Sequence, residues 1–285
     1  MITMIKRGFL LFFKDKASLL FSLLGVIILF LLYIFFLGDS LVKELDFLPN
    51  AEFVMNSWIV AGMLASSSIT TSMGAYAIMV SDKENKYIKD FYTSPISKKA
   101  ILGGYLFTGF IISVIMTLIT FFIGEVYIII KGGHFISFTN FLLLICIILL
   151  SSFASSAMVC FVVSFLKSIN SYITISIILG TLIGFLIGAY ICIGDLPSSI
   201  QWIIKIFPCA HSAVLFRQLL MKEGITVGFK DMPTEVSEQF KEKTGVIFSY
   251  NGWIPDNWFY ILTLVLTGLI FYLLVIIISK KKAKN

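Results

Sequence analysis

The sequence predicts an all-α integral membrane protein: an N-terminal interfacial amphipathic helix, six transmembrane helices, and an outer re-entrant segment between the fifth and sixth. Three observations predict it. Of the 285 residues, 58% are hydrophobic and 13% charged, whereas soluble domains carry roughly a quarter charged residues; the mean hydropathy is +0.97. Six apolar blocks, at 17–37, 53–80, 100–124, 138–166, 172–194 and 258–278, are long enough to cross a bilayer, which takes roughly 20 residues per helix. Backbone groups in lipid must bond within the chain, so these blocks are helices, and the alternation of outer-membrane strands is absent.

Orientation follows from the basic residues. If the second and fourth connections and the termini share one side, 14 of the 22 Lys and Arg fall there, including Lys6, Arg7, Lys83, Lys86, Lys89, Lys98 and Lys99. The positive-inside rule then places both termini in the cytoplasm, as in a bacterial-type plasma membrane. The net charge of +6 is topological and calls for no nucleic-acid partner. The basic start resembles a secretory signal, but it lacks an A-x-A-like cleavage site and its apolar run is too long, so it is read as mature sequence.

Within residues 1–16, Ile2, Ile5, Phe9, Phe12 and Phe13 share one helical face and Lys6, Arg7 and Lys14 the other, the pattern of a helix lying on the inner leaflet. An acidic outer loop is expected at 38–52. The second span carries Ser57, Ser67 and Thr71, and the fourth carries Ser152 and Ser156. Two readings of these hydroxyls stand open: helix packing, or a path for an amphiphilic substrate. Gly180, Gly184 and Gly188 at four-residue spacing predict a close helix crossing along the fifth span. Glu125, at the outer end of the third span, is the one candidate intramembrane carboxylate, either functional or snorkelling outward to pair with Lys131. No midplane carboxylates suggest ion coupling.

Pro208 breaks the apolar stretch 200–220 into half-helices too short to cross the membrane, so it should dip into the outer leaflet. The outer segment as a whole covers 195–257. A short exposed helix is expected at 234–243 and a turn at Asn251-Gly252. Cys192 and Cys209 fall on the same side, as a pair or as separate thiols.

Catalytic signatures are missing. There is no phosphate-binding G-x-x-x-x-G-K-[ST] loop, so the chain is expected to hold no ATP, and the two histidines, His134 and His211, offer no metal cluster. His211 beside Ser212 makes no catalytic pair, because adjacency in sequence does not give nucleophile and base geometry. A chain with no energy source of its own must draw on a partner to move anything.

That partner would grip residues 82–99, a charged, aromatic segment between two apolar blocks. It runs Asp82-Lys83-Glu84-Asn85-Lys86, then Ile88, Lys89, Phe91 and Tyr92, then Ser94-Pro95-Ile96-Ser97, with Gly103-Gly104 following early in the third span. An ordinary positive-inside loop has no use for the aromatics. This pattern resembles the loop between the second and third spans in type-2 permeases of ATP-binding-cassette (ABC) exporters. Family members often have a glycine two residues after the glutamate, where Lys86 stands here. Pro208, His211 and Arg217 look like the family's outer re-entrant segment, which commonly carries a Pro and a later Arg, and the layout of an interfacial helix plus six spans extends the resemblance over nearly the whole chain.

The resemblance implies a permease subunit that pairs with a second copy or a sister permease, within membrane lipid, and with two ABC ATPase subunits. ATP and Mg would be held on the partner ATPase, with no cofactor on this chain. Residues from Asp82 to about Lys89 would form a coupling helix, with Ile88, Phe91 and Tyr92 entering an apolar cleft of the ATPase and Glu84, Lys86 and Lys89 pairing at its rim. The competing readings are an ATP-independent carrier or channel, and a membrane protein for peptide immunity or sensing that binds through 221–257.

Overall fold

The computed structural model describes residues 1–282, apart from the side chains of Tyr92, Lys281 and Lys282. Among the described residues, six helices are long and apolar enough to span a membrane. Helix α1 (Ile2–Lys14) precedes α2 (Lys16–Leu32), which continues through a π-helical turn (Tyr33–Leu37) into α3 (Gly38–Lys43). Next come α4 (Ala51–Glu84), the short α5 (Tyr87–Thr93), α6 (Lys98–Ile130), α7 (Phe138–Ser164) and α8 (Ile169–Leu186). Four shorter helices, α9 (Ser198–Ile206), α10 (Ala210–Leu220), α11 (Lys222–Gly228) and α12 (Thr234–Thr244), lead to α13 (Asn257–Lys282). The face carrying α1 and α5 is called near, and that carrying α9 to α12 far.

Helix α4 is the axis of the bundle. It is the least apolar of the six spans yet the most buried, packed against α2, α6, α7, α8 and α10. The small residues explain both facts: a Cβ on Gly62 would lie 2.9 Å from Ala189, and one on Gly74 2.7 Å from Ser22, so neighbouring backbones approach closely. By contrast α2, α8 and α13 expose apolar faces, among them Phe21, Ile177 and Leu273.

Several expectations are corrected. The first span does not stop at residue 37. Its helix runs on to Lys43 because Tyr33, buried in the π-turn, donates its hydroxyl to Asn56 Oδ1 at 3.0 Å, which holds the extension against α4. The fifth span is shorter than its apolar block, ending at Leu186 before Gly188, whose φ of +62° reverses the chain. The glycine series makes one local crossing rather than a long one: α2 approaches α8 at Gly180, whose carbonyl a Cβ on Gly25 would meet at 3.6 Å, whereas Gly184 makes room for the Tyr190 ring folding back and Gly188 lies in the reversal.

The re-entrant expectation holds. Helices α9 and α10 meet at 91° across Pro208, with Phe207 extended (ψ 115°), as a residue before proline is constrained to be. Asn251 and Gly252 have φ of 53° and 86°, the positive pair of a tight reversal, and Tyr250 bridges Trp253 across it. Cys192 and Cys209 are separate buried thiols.

Candidate functional site

Between α4 and α6 the chain makes one sharp break. The expected helix from Asp82 to Lys89 is displaced: Asp82 and Glu84 belong to the last turn of α4, and the short helix is α5, Tyr87–Thr93. Lys86 sits at the break with φ 64°, a left-handed conformation that favours glycine, here adopted by a lysine. Ser94 Oγ donates to the Phe91 carbonyl at 2.7 Å to close α5. After the exposed Pro95, Ser97 caps α6 by accepting from the Ala100 N–H at 3.2 Å.

The residues around the break have distinct attachments. Asp82 is 3% exposed. Arg7 donates to both its oxygens at 2.7 Å, and the Tyr105 hydroxyl donates to Oδ2 at 2.5 Å. The hydrogen bond to Asp82 raises the Arg7 guanidinium above its usual pKa, keeping α1 cationic at this point. The same guanidinium lies 5.1 Å over the Phe91 ring, a cation–π contact. Phe91 is thus half-turned into the protein rather than fully offered to a partner. The exposed aromatic of α5 is Tyr87, at 50%, beside exposed Lys86, Lys89 and Asp90 and half-buried Ile88. The Tyr92 side chain, expected as an anchor, lies outside the described residues.

Lys83 and Glu84 reach the turn between α7 and α8. Lys83 Nζ donates to the carbonyls of Val163 (3.1 Å) and Ser164 (3.4 Å) at the end of α7, and Glu84 Oε2 accepts from the Ile169 N–H (3.0 Å) at the start of α8. A cation at a helix C-terminus and an anion at an N-terminus both complement the helix dipoles. The end of α4 therefore grips α1, α6, α7 and α8 within one helical turn.

The hydroxyls singled out in the second and fourth spans do not line an opening, although Thr70 beside them does. Ser57, Ser67, Thr71, Ser152 and Ser156 are all buried. Ser67 meets Thr120 at 2.9 Å, and Ser156 shares a hydrogen bond with Tyr76 (2.8 Å) and accepts one from Tyr272 (3.0 Å). Ser68 bonds Ser151 (2.9 Å) and Ser155 (3.0 Å). They form a seam joining α4 to α6, α7 and α13. The opening lies elsewhere, in a groove of about 1360 Å³ between α2 and α8, floored by α4. It runs from Arg7, Asp15 and Tyr87 at the near end to Phe36, Leu37, Tyr190 and Ile191 at the far end, with mostly apolar walls and a few hydroxyls such as Ser18, Thr70 and Ser176. Sequence reasoning missed it, because its residues are ordinary lipid-facing ones until α2 and α8, which meet at Gly25 and Gly180, are seen to frame it over α4. It also missed Arg7, whose charge reads as topological until Asp82 is seen beneath it.

On the far face, Glu125 is buried and accepts from the Ile136 N–H at 3.4 Å, whereas Lys131 pairs with Glu52 at 3.2 Å; of the two readings of Glu125, the one that pairs it with Lys131 is not the arrangement found. His211 Nδ1 lies 3.2 Å from the Pro208 carbonyl, an acceptor, so Nδ1 carries the proton. Ser212 donates to the Cys209 carbonyl at 2.7 Å, away from any nucleophilic role. Arg217 is fully buried. It donates to the carbonyls of Gly188 (2.6 Å), Ile187 (3.2 Å) and Gly245 (3.4 Å), with Trp58 stacked 5.2 Å away.

No individually characterised protein matches the sequence at a significant level. Residues 46–277 match the family described as ABC-2 family transporter protein. That range takes in the α4 to α6 connection, five of the six spans and the re-entrant pair, so the chain belongs to the ABC-2 family of transporter membrane proteins.

Proposed function

We propose that the chain is the permease subunit of an ABC exporter, taking its power from a separate ATPase that docks on α5. The observation that carries this reading is the placement of α5. It projects Tyr87, Lys86 and Lys89 from the near face, while Phe91 is tied through Arg7 to α1 and the adjoining turn of α4 holds the α7–α8 turn. A push on α5 then moves four other elements together. In this reading the near face and both termini are cytoplasmic, ATP and Mg sit on the ATPase, and a second copy or a sister permease covers the groove between α2 and α8. The cargo is an amphiphile (a drug, an antimicrobial peptide or a lipid-linked molecule) suited to apolar walls that carry a few hydroxyls. Buried Arg217, Glu125 and His211 serve in holding the far ends of the helices.

The test is co-purification with the ATPase encoded nearest to the chain, comparing wild type with Tyr87→Ala and with Phe91→Ala/Tyr92→Ala, and reading complex yield and ATP turnover. Loss of the complex in the variants, with the permease still folded, supports α5 as the docking element. A folded, abundant wild type that binds no ATPase overturns the exporter reading in favour of an autonomous carrier or a peptide-immunity protein.

A further inference from the structure

The three helices that wall the groove are tied at their far ends to one turn, residues 243–245, where α12 stops. Trp58 of α4 donates its indole N–H to the Thr244 carbonyl at 2.8 Å. Arg217 joins the Gly245 carbonyl to those of Ile187 and Gly188, at the end of α8. Lys243 Nζ lies 3.1 Å from Glu44 Oε2 and 3.3 Å from Asp195 Oδ1. Glu44 ends the helical extension of α2, and Asp195 follows the reversal after α8.

These attachments differ in kind. Trp58, Arg217 and Thr244 are buried, and their bonds have no competition from water. The side chains of Lys243, Glu44 and Asp195 are 43%, 56% and 44% exposed, and ion pairs this exposed are weak and screened by salt. They also stand where movement would matter. Phe36 and Leu37 on one wall and Tyr190 and Ile191 on the other are the last residues lining the groove; Asp195 follows Ile191 in the short turn after α8, and Glu44 caps the extension α3, beyond Asp39.

We propose that Lys243 is a positioning residue, a releasable clasp that holds the far mouth of the groove narrow by tying the end of α2 to the segment after α8, while Trp58 and Arg217 keep α12 attached when it lets go. The proposal rests on the geometry of the mouth and not on the cargo or the ATPase, so it stands or falls separately from the exporter reading.

The test measures the width of the mouth by electron–electron distance spectroscopy. Spin labels are placed at Lys43→Cys and Ser199→Cys in a Cys146→Ser background, with the full chain in lipid nanodiscs. Lys243→Gln is expected to raise the long-distance population roughly threefold, and Lys243→Arg to leave it as in wild type. Roughly 1 M salt should widen the wild type to match Lys243→Gln and leave that variant unchanged. An unchanged distance distribution in Lys243→Gln overturns the proposal. If that variant fails to fold, the salt series on the Lys243 protein decides alone, and a mouth that does not widen with salt overturns it equally.

Discussion

The guanidinium of Arg7 and the carboxylate of Asp82, 75 residues apart in the chain, meet in a two-pronged ion pair at 2.7 Å, and they are unequally buried. The Asp82 side chain is 4% exposed and that of Arg7 31%. Asymmetry of this kind sets the direction of the mutational effect. Arg7→Ala strands a buried carboxylate with Tyr105 alone, whereas Asp82→Ala leaves a cation that can swing out to water and headgroups. Arg7→Ala is expected to destabilise by about 2–4 kcal/mol and Asp82→Ala by about 1–2 kcal/mol. A double-mutant cycle on thermal unfolding in detergent should show clear coupling between them; equal, additive losses would contradict the buried-pair description.

Helix α1 is seated on α6 through glycines. A Cβ on Gly8 would stand 2.7 Å from Thr108 Cγ2, and one on Gly104 would overlap Met4. Overpacking of this kind typically costs about 1–3 kcal/mol. Gly104→Leu should therefore lift α1, seen as faster backbone hydrogen exchange over residues 2–14, while exchange in α13 stays as in wild type.

Ser156 is shared by two tyrosines, Tyr76 and Tyr272. Ser156→Ala takes the Ser156 partner from both phenol hydroxyls, leaving Tyr76 the long 3.5 Å bond to the Leu106 carbonyl, and Tyr272→Phe removes one bond along with its donor. We expect a loss of about 1–2 kcal/mol for the first and about 0.5–1 kcal/mol for the second, read by unfolding midpoints. The reverse order would show that the seam is held by shape rather than by hydrogen bonds.

Arg217 serves three carbonyls with one planar fork. A lysine cannot reproduce that geometry, so Arg217→Lys should behave almost as badly as Arg217→Gln, with both releasing α12. Limited proteolysis after Lys241 or Lys243 reads this directly; protection retained in Arg217→Lys would show that charge alone suffices.

Lys243 has its pKa raised, first by the hydrogen bond to Glu44, which together with Asp195 outweighs the opposing effect of burial. A raised value means the bridge stabilises the closed mouth below the ordinary lysine pKa and fades as pH rises through the raised one. The mouth distance should thus be constant from about pH 7 to about pH 9 and widen only above the lysine range. Widening already near pH 8 would show that another group controls it.

The length and spacing of the apolar blocks determined the six spans, and Pro208 determined the bend between α9 and α10, because lipid forces every spanning segment to satisfy its own backbone and a proline cannot. The segment 82–99 and its kinship to a transporter family were legible for the same local reason: charge and aromatics between two spans have few uses. Tertiary structure alone decided which polar residues meet. Arg7 and Lys243 look like topological or surface lysine-and-arginine charge in the sequence, since their meaning depends on Asp82, Glu44 and Asp195, which lie far away along the chain. The serines and threonines of the second and fourth spans fit either a path or a seam until α4 is seen at the centre, where small residues let helices close around it. The groove has no motif at all; it is framed by α2 and α8, which meet over α4 at Gly25 and Gly180, a relation between helices that no single stretch of sequence encodes.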